Sequence, residues 1–292
     1  MIDILNIVLP TFIVIFIGYL FGKRTKLDIS SIVEIVFYIG FPSLAFTSMT
    51  EKTIILLDAA KIWSSALIIM FGCGAIAWIM FKMIGQKHSG LYISIFLMNS
   101  VNIPFPILYL VHGPEGLFAA TLFYIPNSLL MYTLGIYVVS GKHWKDSLKE
   151  VAKVPALYAA VAGLLINFSQ IAVPDLVARP LSLIGSMVIP LVLLVLGYNL
   201  SRVRLNSLPT TFLASFLRVG VGLLLGFLSV KLFALKGILR SVVILDSAMP
   251  AAANASILAA KYNNEAGLVS SVVLVTTIAS MVVIPFLLYL LT

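Results

Sequence analysis

A chain of 292 residues with 61% hydrophobic residues, 10% charged residues and a mean hydropathy of +1.12 is excluded from the soluble globular class, where about a quarter of residues are charged. The net charge of +8 sits at the ends of apolar runs and not on one polar face, which excludes a nucleic-acid binder and fits basic loops that orient a membrane protein. The single cysteine, Cys73, excludes an intramolecular disulfide and, lying in an apolar run, reads as packing.

Ten apolar segments of membrane-spanning length follow one another. The first, Ile4–Gly22, is followed and not preceded by its positive charges (Lys23, Arg24, Lys26), so it reads as a retained helix and not a signal peptide. Ser31–Met49, Lys61–Ile84, Leu91–Val111 and Gly116–Ser140 complete a first half, residues 1–140. A basic linker, 141–153, leads to a second half, 154–292, with Val154–Gln170, Pro180–Leu200, Pro209–Lys231, Ile238–Ala260 and Ala266–Leu291. Twelve Lys and Arg fall on one set of loops and six on the other. The richer side is expected to be cytoplasmic, which places both termini outside.

The halves are related by position. Pro10 and Pro155, Pro42 and Pro190, and Pro104 and Pro250 are offset by 145, 148 and 146 residues, and Gly18 and Gly163 by 145. Each half has an odd number of spans, so the second copy is expected upside down, as in the inverted repeats of secondary transporters.

The fourth and ninth spans are interrupted. The fourth carries Asn99, Ser100, Asn102, Pro104 and Pro106; the ninth carries Asp246, Ser247, Pro250, Asn254 and Ser256. Proline removes a backbone donor and clashes with the preceding turn. Lipid cannot satisfy the freed groups, so such breaks survive only under protein or beside a water-filled cavity. The backbone is expected to unwind at Asn102–Pro106 and Met249–Asn254. Half-helix N-termini there suit an anion, and exposed carbonyls and C-terminal ends suit a cation. The substrate-binding set is accordingly Asn99, Ser100, Asn102, Pro104, Pro106, Pro250 and Asn254, with Asn127 from the fifth span. The bland alternative is that prolines kink the helices and amides bond neighbouring helices.

Asp246 is an ionisable group inside an apolar stretch, a functional position by default. With Ser247 and Asn254 it forms the expected ion-coupling set, for a proton or for sodium at Asp246. The alternative is a static ion pair with Arg218 of the eighth span. The histidines His88, His112 and His143 lie in or near loops without metal-ligand spacing, and no hydrolase motif occurs. Neither an enzyme nor a cofactor is expected.

These residues resemble the auxin efflux carrier family in its short bacterial form, across essentially the whole chain. The second span reads Ile39-Gly40-Phe41-Pro42-Ser43-Leu44, similar to the family's FxxPxL stretch. The fourth, Asn99 to Pro106 and on to Gly113, is similar to its first crossover at Asn99, Ile103, Pro106 and Gly113. The ninth, Ala248-Met249-Pro250-Ala251-Ala252-Ala253-Asn254-Ala255, is similar to the bacterial AMPxAVNA crossover, with Tyr262 and Asn263 following. The resemblance implies an all-α membrane protein of ten helices in a five-plus-five inverted repeat, like bile-acid symporters. It implies a scaffold of spans one, two, six and seven, an elevator-moving transport part (spans three to five and eight to ten) with two crossover helices, and a homodimer. Family substrates are organic anions: auxin in plants, small carboxylates such as malonate or malate in bacteria. Three features depart from the family: Pro104 replaces the usual glycine, the long plant loop is missing, and Asp246 stands where plant members tend to be neutral. The expectation is an inner-membrane secondary transporter of a small organic anion, coupled to sodium or protons. A cation–proton antiporter and a ligand-sensing membrane protein without net transport are the alternatives.

Overall fold

A computed structural model describes residues 2–50, 56–141 and 154–291. Every regular element among them is helical. The basic linker expected at 141–153 lies, after Gly141, outside the described residues. In chain order the helices are α1 (Ile2–Arg24), α2 (Ser30–Thr50), α3 (Leu56–Met83), the single turn α4 (Ile93–Phe96) and α5 (Pro104–Ser140). Then come α6 (Pro155–Phe168), α7 (Asp175–Leu200), α8 (Leu208–Leu232), α9 (Gly237–Ser247), α10 (Ala253–Lys261) and α11 (Ala266–Leu291). Six of these, α2, α3, α5, α7, α8 and α11, are long and apolar enough to cross a membrane. Exposed side chains such as Leu9, Phe16, Leu176, Leu224 and Val282 give the outside a greasy surface, which water would not tolerate at this extent and lipid does.

One expected boundary holds and one moves. The fourth and fifth spans are two helical arms of α5 that meet at the non-helical Gly113 (φ 62, ψ −151), between the expected ends Val111 and Gly116. That conformation is open essentially to glycine alone, and Pro114 after it cannot continue the preceding arm. The first break lies earlier than expected. Backbone outside helix covers 97–103 and 248–252, so Pro104 opens α5 at its first position instead of lying in unwound chain. Its ring fixes φ near the helical value, and its missing N–H is one that a helix start leaves unpaired anyway.

Three π-helical turns, Val36–Gly40 in α2, Met131–Gly135 in α5 and Leu217–Val221 in α8, each widen a helix by one residue. Such turns often aim side chains at functional sites.

The helices pack in two groups. α1 lies along α7, where Gly18 meets the Leu194 backbone and Gly197 the Ile15 backbone. α2 packs on α6 and on the start of α7, with Gly163 against Phe46 and Met49, and Gly185 against Leu44. Bare Cα atoms at these points let backbones approach, which is how helices associate where lipid removes the hydrophobic drive. α3, α5, α8, α9 and α11 pack among themselves in the second group.

On one face the loops before α4 and before α11 are tied by Glu265. Its carboxylate pairs with His88 Nδ1 at 2.5 Å and accepts the N–H groups of Ser89 (3.1 Å) and Leu91 (3.0 Å). Burial pushes this carboxyl up, and the bonds from His88, Leu91 and Ser89 outweigh it, holding it below its ordinary value.

Candidate functional site

The two breaks meet. Met98 and Ala251 form an antiparallel bridge, in which the Asn99 N–H donates to the Pro250 carbonyl (2.8 Å) and the Ala252 N–H to the Leu97 carbonyl (3.2 Å). Each break thus satisfies part of the other's freed backbone, which nothing in a bilayer core would do. A long helix supports each bridging residue from behind. Asn127 of α5 donates through Nδ2 to the Met98 carbonyl (2.9 Å) and to Ser100 Oγ (2.7 Å). Thr276 of α11 accepts the Ala251 N–H through Oγ1 at 3.1 Å.

A cavity, part of it open, lies at this crossing. One wall is polar: Asn99, Ser100, Asn102, Asn127, Ser128 and Asn254, with Tyr124 and Tyr132. The other is apolar and comes from α2 and α7, including Val33, Val36, Phe37, Phe41, Val192 and Leu196, with Asn199 among them. None of the described residues lining it is charged.

The half-helix ends at this cavity differ. Pro104 and Pro106 have no N–H, the Phe105 N–H is used by the Val101 carbonyl (3.2 Å), and the Asn102 N–H by Asn99 Oδ1 (3.0 Å). The start of α5 therefore presents few free donors. α10 begins after extended Ala252 (φ −61, ψ 129) with no side-chain cap. Its first residues, Ala253 and Asn254, line the cavity. The Ala255 N–H is used by the Ala252 carbonyl (3.0 Å), whereas the N–H groups of Ala253 and Asn254 have no helical acceptor and carry the positive end of the dipole. Asn99 Nδ2 is buried without a partner among the described residues, a donor held ready beside them.

Of the residues singled out from the sequence, Asn99, Ser100, Asn102, Asn127 and Asn254 come together at the cavity. Pro104, Pro106 and Pro250 do not line it; the first two start α5, and Pro250 contributes its carbonyl to the bridge. Asp246, Ser247 and Arg218 lie where α4 and α9 arrive at the crossing, away from the cavity wall. Asp246 is fully buried, and neither carboxyl oxygen has a hydrogen-bond partner among the described residues. Ser247 Oγ turns back to the Ile244 carbonyl (2.8 Å). The ion pair weighed between Arg218 and Asp246 does not form: Arg218, also fully buried, donates to the carbonyls of Ile95 (3.1 Å) and Ser247 (2.6 Å).

Sequence reasoning passed over Tyr124, Ser128, Tyr132 and Asn199. Tyr124, Asn127, Ser128 and Tyr132 stand at helical spacing, the pattern of a single face, so Asn127 already pointed to its neighbours. Asn199 offered only its polarity, near the end of an apolar run.

The family model described as membrane transport protein matches residues 3–153 and 143–288, the two halves of the chain. An uncharacterized transporter of Methanothermobacter thermautotrophicus is 28% identical over 289 residues, 95% of this chain and 95% of that protein. An uncharacterized transporter of Methanocaldococcus jannaschii is 26% identical over 298 residues, 96% of each.

Proposed function

This chain belongs to the auxin efflux carrier family of membrane transport proteins, and from that premise we propose that it is a secondary active transporter of a small organic anion. One observation carries the proposal: the uncharged, amide-lined cavity where two broken helices cross, with an uncapped helix start in its wall. The carboxylate sits against Asn99, Asn102, Asn254 and the first N–H groups of α10, held by dipoles instead of a charged side chain. The organic body lies on Val36, Phe37, Phe41, Val192 and Leu196. That wall favours an anion with an apolar portion over a compact dicarboxylate.

The chain works as ten spans in a five-plus-five inverted repeat. Support comes from the matched roles of Met98 with Asn127 and Ala251 with Thr276. α1, α2, α6 and α7 form the scaffold, and the other helices carry the crossing in an elevator movement. The cavity lies on the seam between these groups, where sliding alternates access. Its walls, 33–41, 124–132 and 192–199, lead along the chain into the Lys- and Arg-rich loops. We assign that side to the cytoplasm of a cell with this protein in its inner membrane as a homodimer, with the cavity facing inward. Asp246 carries the coupling ion. The absence of a carboxylate among the described residues lining the cavity weighs against a cation–proton antiporter.

Uptake into proteoliposomes of labelled phenylacetate and succinate, under imposed ion gradients, tests this. Saturable uptake that Asn102→Ala weakens and whose ion dependence Asp246→Asn abolishes is expected. Binding without flux would instead make the protein a sensor.

A further inference from the structure

We propose that Arg218 is a resident cation, occupying the place at the crossing that a transported cation would take, and that transport therefore runs without sodium. The inference rests on the crossing being the transport site.

A broken helix presents a carbonyl-bearing C-terminal end as well as an N-terminal one. Each such end carries partial negative charge. In transporters built on discontinuous helices, these ends and the unwound carbonyls hold the coupling cation. Here the two arriving segments end at Phe96 and Ser247. One guanidinium reaches both, with Nη1 on the Ile95 carbonyl (3.1 Å) and Nη2 on the Ser247 carbonyl (2.6 Å). The side chain is 0% exposed.

No carboxylate neutralises it by a hydrogen bond, since both Asp246 oxygens lack a partner among the described residues. Nη1 and Nη2 meet the two helix ends, and Nε is buried without a partner among the described residues. A rigid planar fork suits two separate acceptors in a way that a lysine's single ammonium does not.

The surrounding backbone is shaped for this. Arg218 lies in the π-helical turn Leu217–Val221, which displaces it from the regular path of α8. One turn on, Gly222 leaves space where a Cβ would collide with Arg218 Nη2 and the Ser247 carbonyl. A side chain that merely snorkels would run to the interface. This one ends on buried carbonyls instead.

Thermal unfolding of the purified protein, in sodium chloride against choline chloride at equal ionic strength, tests the proposal. A ligand of the folded state raises Tm. The wild type is expected to show no sodium-specific shift, and its uptake of phenylacetate is expected to survive replacement of sodium. Arg218→Ala is expected to lose Tm and to recover part of it with sodium or with low guanidinium; Arg218→Lys should fall between. A sodium-specific rise in the wild type overturns the proposal and leaves the anion reading standing, and this arm holds even if Arg218→Ala does not fold. A folded Arg218→Ala protein that neither cation stabilises overturns it as well. If no carboxylate shifts Tm in either salt, the anion reading fails while the place of Arg218 is untouched.

Discussion

The two faces of one crossing are built on opposite principles. On the cavity face the described lining residues are amides, hydroxyls and apolar groups without a charge. On the other face Arg218 and Asp246 are fully buried, and the guanidinium bridges the ends of two helices. A charge exposed in a membrane cavity would hold a counter-ion tightly and resist its release. Dipoles from a helix start and side-chain amides bind an anion while letting it leave. The fixed charge lies off the cavity wall, and there it bridges the ends of two helices.

The largest effect is expected on the charged face. Arg218→Ala strands two buried carbonyls, at about 1–3 kcal/mol for each unpaired group, and should lower stability measured by thermal or denaturant unfolding. If stability is unchanged, the charged face does not hold the crossing.

The supports behind the bridge come next. Asn127→Leu frees the Met98 carbonyl and Ser100 Oγ and should cost about 1–3 kcal/mol, whereas Thr276→Val removes a single acceptor from the Ala251 N–H and should cost about 1 kcal/mol. Both should weaken carboxylate binding through the bridge, since neither break can then keep its shape. Equal binding in both variants would separate the bridge from the site.

A polar residue on the cavity face should show the reverse pattern. Asn254→Ala, at an exposed position, should leave stability nearly unchanged and weaken carboxylate binding by about tenfold, near 1.4 kcal/mol. Titration of the purified protein reads this directly. A large loss of stability would blur the difference between the faces.

The smallest effect lies in the loops. The Glu265 carboxyl is held below its ordinary value, so its contribution to stability is present above the unfolded-state value, about 4.3 for glutamate. It is lost as pH falls through the lower folded-state value. Glu265→Gln should remove that part of the acid dependence of Tm; an unchanged acid profile would show that the tie to His88, Ser89 and Leu91 does not stabilise the loops.

The breaks were legible from residue types. Pro104 and Pro250 interrupt apolar runs at matching places, and a proline in such a run has few structural options. Asn99, Asn102 and Asn254 stood beside them, and all three line the cavity. What the prolines do there was not legible. Pro104 and Pro106 open a helix and withhold N–H groups, which leaves α10 as the start proposed to receive the anion. That asymmetry depends on where the helix begins, a boundary that propensity sets poorly. Arg218 was legible as a charge within a span, for which snorkelling is the commoner fate, while its burial and its partners were not. Backbone carbonyls carry no mark in a sequence, and the nearby Asp246 offered a plausible alternative. Tyr132 and Asn199 reach the cavity only through the packing of α2, α5 and α7, which no local pattern encodes.

Ligand-induced thermal stabilisation by a carboxylate panel including phenylacetate and succinate, measured on the wild type and on Asn254→Ala side by side, tests the central claim most directly. A carboxylate with an apolar body should raise the wild-type Tm, and the rise should shrink or vanish in Asn254→Ala, whose unliganded Tm matches the wild type. No rise with any carboxylate, or an equal rise in both proteins, would contradict a carboxylate site at the crossing of the two broken helices.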